Sequence, residues 1–356
     1  MDTFPYFAVA GLLALAAIVS PRQKVSPIAW TLAFVLLVVF VGLRHKVGMD
    51  WNNYLRMTEF MASGTLLESF SRAEPAFALL TWLSAKAGFG VYGVNLVAAV
   101  IFCAGLFRFC RKTDNPWLGL LVAFPMLIMV VACSASRQSV AIGILMWLIA
   151  EWRESTFAKR VVLILAACMF HYSAAFLLCF VALELDVRPR FKIAAFLGTV
   201  AGTAWLMLVT GGGDYYINTY VTDQSDLVYS PGAIQHVLLN AAPASLVVFG
   251  KRVRDRLFPT RILLNLAIMA LALVPVVLVS SVAAGRLSLY LFPVSIFVVT
   301  RLAGMTSSPH TRAIARILIS AGLVFICWFW LTYSNSGFAY SPYENAILMH
   351  ESALHL

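Results

Sequence analysis

The chain alternates long apolar runs with short polar segments, and the lengths of the runs predict its fold. A helix that crosses the hydrocarbon core of a bilayer needs about 20 predominantly apolar residues. Runs that approach this length occupy residues 4–20, 26–42, 91–108, 116–132, 135–150, 191–210, 234–250, 262–281, 284–300 and 313–333. The pattern predicts an all-α polytopic membrane protein, a bundle of about 10–12 transmembrane helices.

Two further segments fit a simple span less well. Residues 74–87 are short and carry Glu74 and Lys86, and residues 161–183 have a suitable length but place His171 near their middle. Irregular backbone at membrane depth is tolerated only where protein buries it or where it lines a wet cavity. We therefore expect one or two broken or re-entrant segments, with 161–183 either re-entering or breaking at His171, and a periplasm-facing cavity.

The basic residues predict the orientation of the bundle. Most of the 26 Lys and Arg residues fall in the loops that are inside when the N-terminus is placed outside, as the positive-inside rule requires. The outer segments are then residues 43–73, residues 211–232 and the tail 334–356. Tyr, Asn and Asp are frequent in 211–232, and such side chains suit contacts with sugars, although an ordinary solvated loop has the same composition.

Composition excludes several classes of protein. With 61% hydrophobic and 12% charged residues, the chain cannot be a soluble globule, and we expect residues 1–356 to form a single integral membrane domain. The net charge of +10 reflects the loop bias and does not indicate a nucleic-acid partner. Zinc-protease, paired-cysteine, Walker and dinucleotide motifs are absent from the sequence, so we expect neither a metal nor a cofactor.

A minority of the basic residues break the positive-inside rule. They lie outside or within the predicted membrane, and they are Arg44, Lys46, Arg56, Arg72, Lys86, Arg137 and Arg286. Binding of an anionic group at the outer face explains such placements, and we expect Arg44 and Lys46 to take part in it.

Two of these arginines stand at predicted helix starts. Arg137 opens a helix together with Gln138, and Arg286 precedes Tyr290 by one helical turn, on the same face. A guanidinium grips phosphate oxygens through a two-pronged fork, so both residues are candidate ligands for a lipid diphosphate. The alternative for Arg137 is a side chain that merely extends to the membrane interface.

Three residues are candidates for a catalytic base, and they are His171, Glu74 and Asp50. A histidine such as His171 titrates near neutral pH. Partial desolvation would raise the pKa of Glu74 while its place at a helix start would lower it, and the cations beside Asp50 favour its ionised form. We favour His171 narrowly, with Glu74 second and Asp50 as an orienting partner.

Six short motifs follow one another along the chain: RHKVGMDWNNY (44–54), EPAFALL (74–80), SRQSVAIGI (136–144), FHYSAAF (170–176), GRLSLYLFP (285–293) and SPYENA (341–346). Their order resembles the EpsG-type branch of bacterial exopolysaccharide and O-antigen polymerases, the Wzy-like enzymes. Met49 stands where that family commonly has a small residue. The resemblance implies functional roles for Arg44, Gly48, Asp50, Tyr54, Glu74, Arg137, Gln138, His171, Arg286, Tyr290 and Tyr343.

The resemblance also implies an activity. It predicts a glycosyltransferase that joins oligosaccharide repeat units carried on undecaprenyl diphosphate at the periplasmic face of the bacterial inner membrane. Donor and acceptor are then both lipid-linked, and a chain-length regulator and a flippase of the same pathway are expected partners. A lipid-linked oligosaccharide flippase or exporter is the main alternative, and a membrane O-acyltransferase or a structural partner of the polymerase are others.

Overall fold

The computed structural model describes residues 3–20, 25–210, 232–251, 261–305 and 308–349. Within these ranges the backbone is overwhelmingly helical, which confirms the predicted all-α class. The chain divides into two compact units, the first made of Met1–Gly143 and Val299–Leu356 and the second of Ile144–Val298. A single integral domain and a periplasm-facing cavity stay predictions.

The α-helices in the described ranges are α1 (Phe4–Val19), α2 (Pro27–Gly42), α3 (Trp51–Ser63), α4 (Leu66–Phe70), α5 (Pro75–Lys86), α6 (Gly90–Cys110), α7 (Pro116–Ala123), α8 (Ser136–Ala150), α9 (Phe157–Cys168), α10 (Leu178–Leu183), α11 (Pro189–Thr210), α12 (Ala233–Phe249), α13 (Arg261–Val279), α14 (Ser281–Leu289), α15 (Phe292–Leu302) and α16 (Pro309–Tyr333). Two short strands, β1 (Arg44–His45) and β2 (Glu344–Asn345), form an antiparallel pair.

Several helices begin where the sequence supplies both a cap and a proline. Ser26 accepts a hydrogen bond from the backbone N–H of Ala29 at the start of α2, and Asn115 does the same for Leu118 at the start of α7. Both helices have proline in their first turn, where a missing N–H costs nothing. The apolar runs therefore start at defined residues.

Each predicted apolar run coincides with helical structure, but one run is broken. Residues 284–300 are divided between α14 and α15, which meet at Tyr290–Leu291 with a bend of 54°. This corrects the expectation of a continuous span there. In the described ranges α6, α13 and α16 are each long and apolar enough to cross a membrane, and the bent pair is a fourth candidate; the predicted total of about 10–12 spans stays a prediction.

The structure confirms that residues 161–183 break at His171. Helix α9 ends at Cys168, His171 is extended with φ −157° and ψ 113°, and a 3₁₀ helix over Tyr172–Leu177 leads into α10. The other unusual segment, 74–87, forms α5, a helix of 12 residues and about 18 Å, which is too short to cross a bilayer. Its entry into the membrane from outside stays a prediction.

Two of the predicted outer segments are joined in the first unit. Strand β1 lies in residues 43–73 and pairs with β2 of the tail, with Arg44 opposite Asn345 and His45 opposite Glu344. The two segments therefore lie on the same side, although the periplasmic identity of that side stays a prediction. The segment 43–73 also carries α3 and α4. Most of the remaining outer segment, residues 211–231 of 211–232, lies outside the described ranges.

Helices α6 and α8 approach each other at two glycines of the first unit. A Cβ atom on Gly105 would lie 1.7 Å from the carbonyl oxygen of Gly143, and one on Gly143 would lie 2.5 Å from the Cα of Phe102. Small residues permit such close contact between membrane helices. This contact fixes α8, which carries the candidate residue Arg137 in its first turn, against α6.

Candidate functional site

The turn between β1 and α3 has a backbone that glycine makes possible. Gly48 has φ +99°, and a Cβ atom there would lie 2.0 Å from the carbonyl oxygen of Cys133. The Gly48 N–H donates to the carbonyl oxygen of Ala339 over 2.7 Å. The turn therefore lies in close contact with both the tail and the segment that precedes α8. Two residues further on, the backbone N–H of Asp50 donates a hydrogen bond to Ser134 Oγ at 3.2 Å.

The segment that precedes α8 is itself irregular. Helix α7 continues as a π-helix over Phe124–Ala132, and a short turn then leads to Ser136, the first residue of α8. π-Helical backbone is rare and occurs frequently at functional sites. Here it leads directly into the serines and the arginine that the sequence singles out.

Arg44 is buried and is held by protein acceptors. It is 1% exposed. Its Nε donates to the carbonyl oxygen of Val47 at 3.3 Å and its Nη1 to that of Val41 at 2.7 Å. Its Nη2 donates to Asn95 Oδ1 at 3.1 Å and to Ser136 Oγ at 3.0 Å. This geometry favours a positioning role that ties the turn to α6 and α8, and direct contact with substrate stays a prediction.

Arg137 gathers three elements of the first unit. Its Nη1 donates to Glu74 Oε2 at 3.1 Å, and its backbone N–H donates to Tyr54 Oη at 3.4 Å. Tyr54 belongs to α3, Glu74 is the residue before α5, and Arg137 is in the first turn of α8. Thus three residues from separate motifs form one cluster, which we call the Arg137 cluster.

The Arg137 cluster leaves its guanidinium partly exposed and keeps its carboxylate buried. The Arg137 side chain is 36% exposed, whereas the Glu74 side chain is 5% exposed. Free N–H groups and the helix dipole make the start of a helix attractive to anions. Burial raises the pKa of Tyr54, so its phenol stays neutral and adds no negative charge.

The remaining candidates of the first unit lie in different environments. Gln138 is buried, Asp50 is half-buried and Lys46 is exposed with φ +51°. Tyr343 stacks on the ring of Phe40 at 4.6 Å and donates its hydroxyl to the carbonyl oxygen of that residue at 2.7 Å. The hydroxyl of Tyr343 therefore holds the tail on α2, and a substrate role for it stays a prediction.

A second set of candidates lies in the second unit, at its two helix breaks. Ser173, in the 3₁₀ helix that follows His171, lies with its hydroxyl 2.9 Å from Tyr290 Oη. Tyr290 is 2% exposed and ends α14, one turn after the exposed Arg286. The structure thus brings together the break at His171 and the break at Tyr290.

A comparison with known protein families covers the part of the chain in which these candidate residues lie. A sequence model described as the EpsG family matches residues 28–345, which is most of the chain. The chain belongs to the EpsG family. Membership in the EpsG family indicates a membrane protein of the polysaccharide polymerase type, and it gives no support to the flippase alternative. No curated protein and no solved structure is detectably similar to the chain.

Sequence reasoning on this EpsG family member missed two residues that hold the first residue of α8 and the π-helical segment before it. Asn95 is fully buried on α6 and accepts hydrogen bonds from Arg44 and Ser136. A single amide inside an apolar run was its signal in the sequence. Tyr340 donates its hydroxyl to the carbonyl oxygen of Val130 in the π-helical segment at 3.0 Å, and a tyrosine near the tail carried no comparable signal.

The described ranges contain no obvious set of metal ligands. No group of three or more His, Cys, Asp or Glu residues lies close enough there to hold a metal ion. Within those ranges the basic side chains, above all the partly exposed Arg137, are the groups suited to an anionic ligand.

Proposed function

We propose that the protein is a membrane glycosyltransferase that joins oligosaccharide repeat units carried on undecaprenyl diphosphate at the periplasmic face of the bacterial inner membrane. Its EpsG family membership supports the polymerase class. The structural observation that carries the proposal is Arg137, partly exposed at the start of α8 and oriented by the buried Glu74. Such a guanidinium suits a phosphate oxygen of the donor.

The reaction needs charge neutralisation above all. The bond from the anomeric carbon of the donor sugar to the lipid diphosphate breaks, and that carbon forms a new bond to a hydroxyl oxygen of the acceptor unit. The diphosphate departs with the bonding electrons, so positive charge near it lowers the barrier. Removal of one preorganised donor of this kind costs about 10²–10³ in turnover in well-studied enzymes.

Arg44 adds to this positive potential from its buried position. It is buried beside Ser136, the neighbour of Arg137. Among the described residues no carboxylate pairs with it. A buried charge without a counterion acts over a longer range than a solvated one. Arg286 in the second unit is the second predicted diphosphate ligand.

The acceptor hydroxyl must lose a proton, and we assign this step to His171. Glu74 is hydrogen-bonded to Arg137, and a carboxylate in such a pair is a weak proton acceptor, so Glu74 serves to orient the guanidinium. His171 lies half-buried where α9 has ended and the next helix begins. An imidazole titrates near neutral pH, and a general base contributes about 10²–10⁴ to the rate.

Substitution of Arg137 tests the proposal. Purified protein in lipid nanodiscs is incubated with a synthetic undecaprenyl-diphosphate repeat unit, and the lipid-linked products are separated by mass. We expect elongation by the parental protein and a large fall in turnover for Arg137→Lys, which keeps the charge but loses the fork. Lys251→Met, at an exposed position outside the candidate site, is the control. Near-parental elongation by both Arg137→Ala and Arg286→Ala contradicts the diphosphate role.

The assignment of the base is tested separately. His171→Gln keeps a hydrogen-bonding side chain but cannot take up the proton, so the rate at saturating substrate should fall more than binding weakens. Glu74→Gln should act chiefly through Arg137. If His171→Gln elongates at the parental rate and Glu74→Gln does not, the base is Glu74.

A further inference from the structure

A buried amide in the second unit holds both halves of the broken span. Asn240 lies on α12 and has no exposed surface. Its Nδ2 donates to the carbonyl oxygen of Ser288 on α14 at 2.8 Å. Its Oδ1 accepts a hydrogen bond of 2.7 Å from the hydroxyl of Ser295 on α15. One side chain therefore connects a third helix to each side of the 54° bend.

The carbonyl that Asn240 binds lies where a helix ends. The last carbonyl groups of a helix have no N–H partner four residues further along. Ser288 is in the last turn of α14, and its carbonyl oxygen accepts the backbone N–H of Leu291 at 3.0 Å. The Asn240 amide supplies a side-chain donor to this oxygen, which stabilises the backbone at the break.

Two candidate functional residues flank this hydrogen bond. Arg286 lies two residues before Ser288, and Tyr290 lies two residues after it. The Tyr290 hydroxyl is 2.9 Å from Ser173 Oγ, in the segment that follows His171. The direction of the backbone at Ser288 therefore sets the positions of Arg286 and of Tyr290, which contacts the segment that follows the break at His171.

We propose that Asn240, assisted by Ser295, is a positioning residue that fixes the bend between α14 and α15 and thereby the place of Arg286 in the reaction. This inference rests on the proposed polymerase function. Rates of enzymes respond steeply to such placement, because a displacement of about 1 Å can cost roughly 10²-fold.

Kinetics of matched variants form the first half of the test. Asn240→Leu removes the hydrogen bonds to Ser288 and Ser295, together with a bond from Nδ2 to the carbonyl oxygen of His236 within α12. Ser295→Ala keeps the bond to Ser288 and removes the hydroxyl's bonds to Asn240 Oδ1 and to the carbonyl oxygen of Leu239. Ser245→Ala on the same helix is the control, since that hydroxyl makes an exposed hydrogen bond to the carbonyl oxygen of Ala242, one turn away on α12. We expect kcat to fall at least tenfold for Asn240→Leu and less for Ser295→Ala, with smaller changes in KM. Ser295→Thr, which keeps the hydroxyl, should retain activity.

A double substitution separates positioning from general damage. If Asn240 acts through Arg286, then Asn240→Leu should add little to the loss already caused by Arg286→Ala, because residues that act as a unit are not additive. Independent, multiplicative losses overturn the inference, and so does parental kcat in both Asn240→Leu and Ser295→Ala.

A distance measurement keeps this inference separate from the proposed function. Nitroxide labels at Ala283 on α14 and Phe297 on α15 report the bend by pulsed electron spin resonance. We expect a narrow distance distribution in the parental protein and a broader or shifted one in Asn240→Leu and Ser295→Ala. An unchanged distribution in both variants overturns the role of Asn240. A parental protein that makes no product contradicts the proposed function instead, and the distances alone then decide whether Asn240 fixes the bend.

Discussion

Replacement of Arg44 distinguishes a positioning residue from a substrate ligand. Arg44→Met keeps an unbranched apolar side chain of about the length of the aliphatic part of arginine and removes the guanidinium that bonds the turn, α6 and α8. The carbonyl groups of Val41 and Val47 then lose this donor, while Ser136 and Asn95 keep the 2.8 Å hydrogen bond between them.

The expected loss of stability follows from these contacts. Each buried carbonyl left without its donor costs about 1–3 kcal/mol, and the relief from burying a charge offsets part of that sum. We expect Arg44→Met to lower the free energy of unfolding by about 2–4 kcal/mol. The stability of Arg44→Lys should lie between that of the parental protein and that of Arg44→Met. An ammonium keeps the charge but cannot match four acceptors of fixed geometry.

The assay compares unfolding with polymerisation. Unfolding is measured on detergent-solubilised protein by titration with a denaturing detergent and by heating followed by size-exclusion chromatography. Lys251→Met is the control, since Lys251 is exposed and lies outside the candidate site. If Arg44→Met unfolds like the parental protein and yet makes no polymer, then Arg44 acts on the substrate directly and the positioning account is wrong.

Three other predictions address the first unit. Gly48→Ala should destabilise the protein in the same unfolding assays, because its Cβ would lie 2.0 Å from the carbonyl oxygen of Cys133 and a positive φ disfavours alanine; unchanged stability contradicts this. Burial lowers the pKa of His45 from 6.5, so the unfolded chain binds the proton more readily, and stability should be lost as pH falls through about 6.5 and below. His45→Gln should remove that part of the pH dependence, and an unaltered profile contradicts it. Cysteines placed at Ser63 and Asn335 should both react with an impermeant reagent outside intact cells, whereas protection of either one contradicts the predicted orientation.

The helices could be predicted from the sequence because span length and hydrophobicity are local properties. The break at His171 was also predictable, since a titratable side chain inside an apolar run conflicts with a continuous span. The bend after Tyr290 was missed because residues 284–300 read as one apolar run. Pro293, in the first turn of α15, was the available sign of a new helix start.

The candidate site could be predicted only in part. Arg137 was singled out by its residue type and its place at a helix start, but its partner Glu74 lies 63 positions earlier in the sequence. The burial of Arg44 depends on Asn95 and Ser136, and the pairing of β1 with β2 joins residues about 300 positions apart. Such long-range contacts leave no local pattern in a single sequence.

The most direct test of the proposed polymerase counts the products of a defined reaction. Purified protein in nanodiscs receives only a synthetic undecaprenyl-diphosphate repeat unit, and mass spectrometry follows both the lipid-linked saccharides and the free lipid diphosphate. The account predicts saccharides extended by whole repeat units, one lipid diphosphate released for each new linkage, and strong suppression of both by Arg137→Lys. Unextended saccharide with no lipid diphosphate released, from protein that is folded by size-exclusion chromatography, would contradict it.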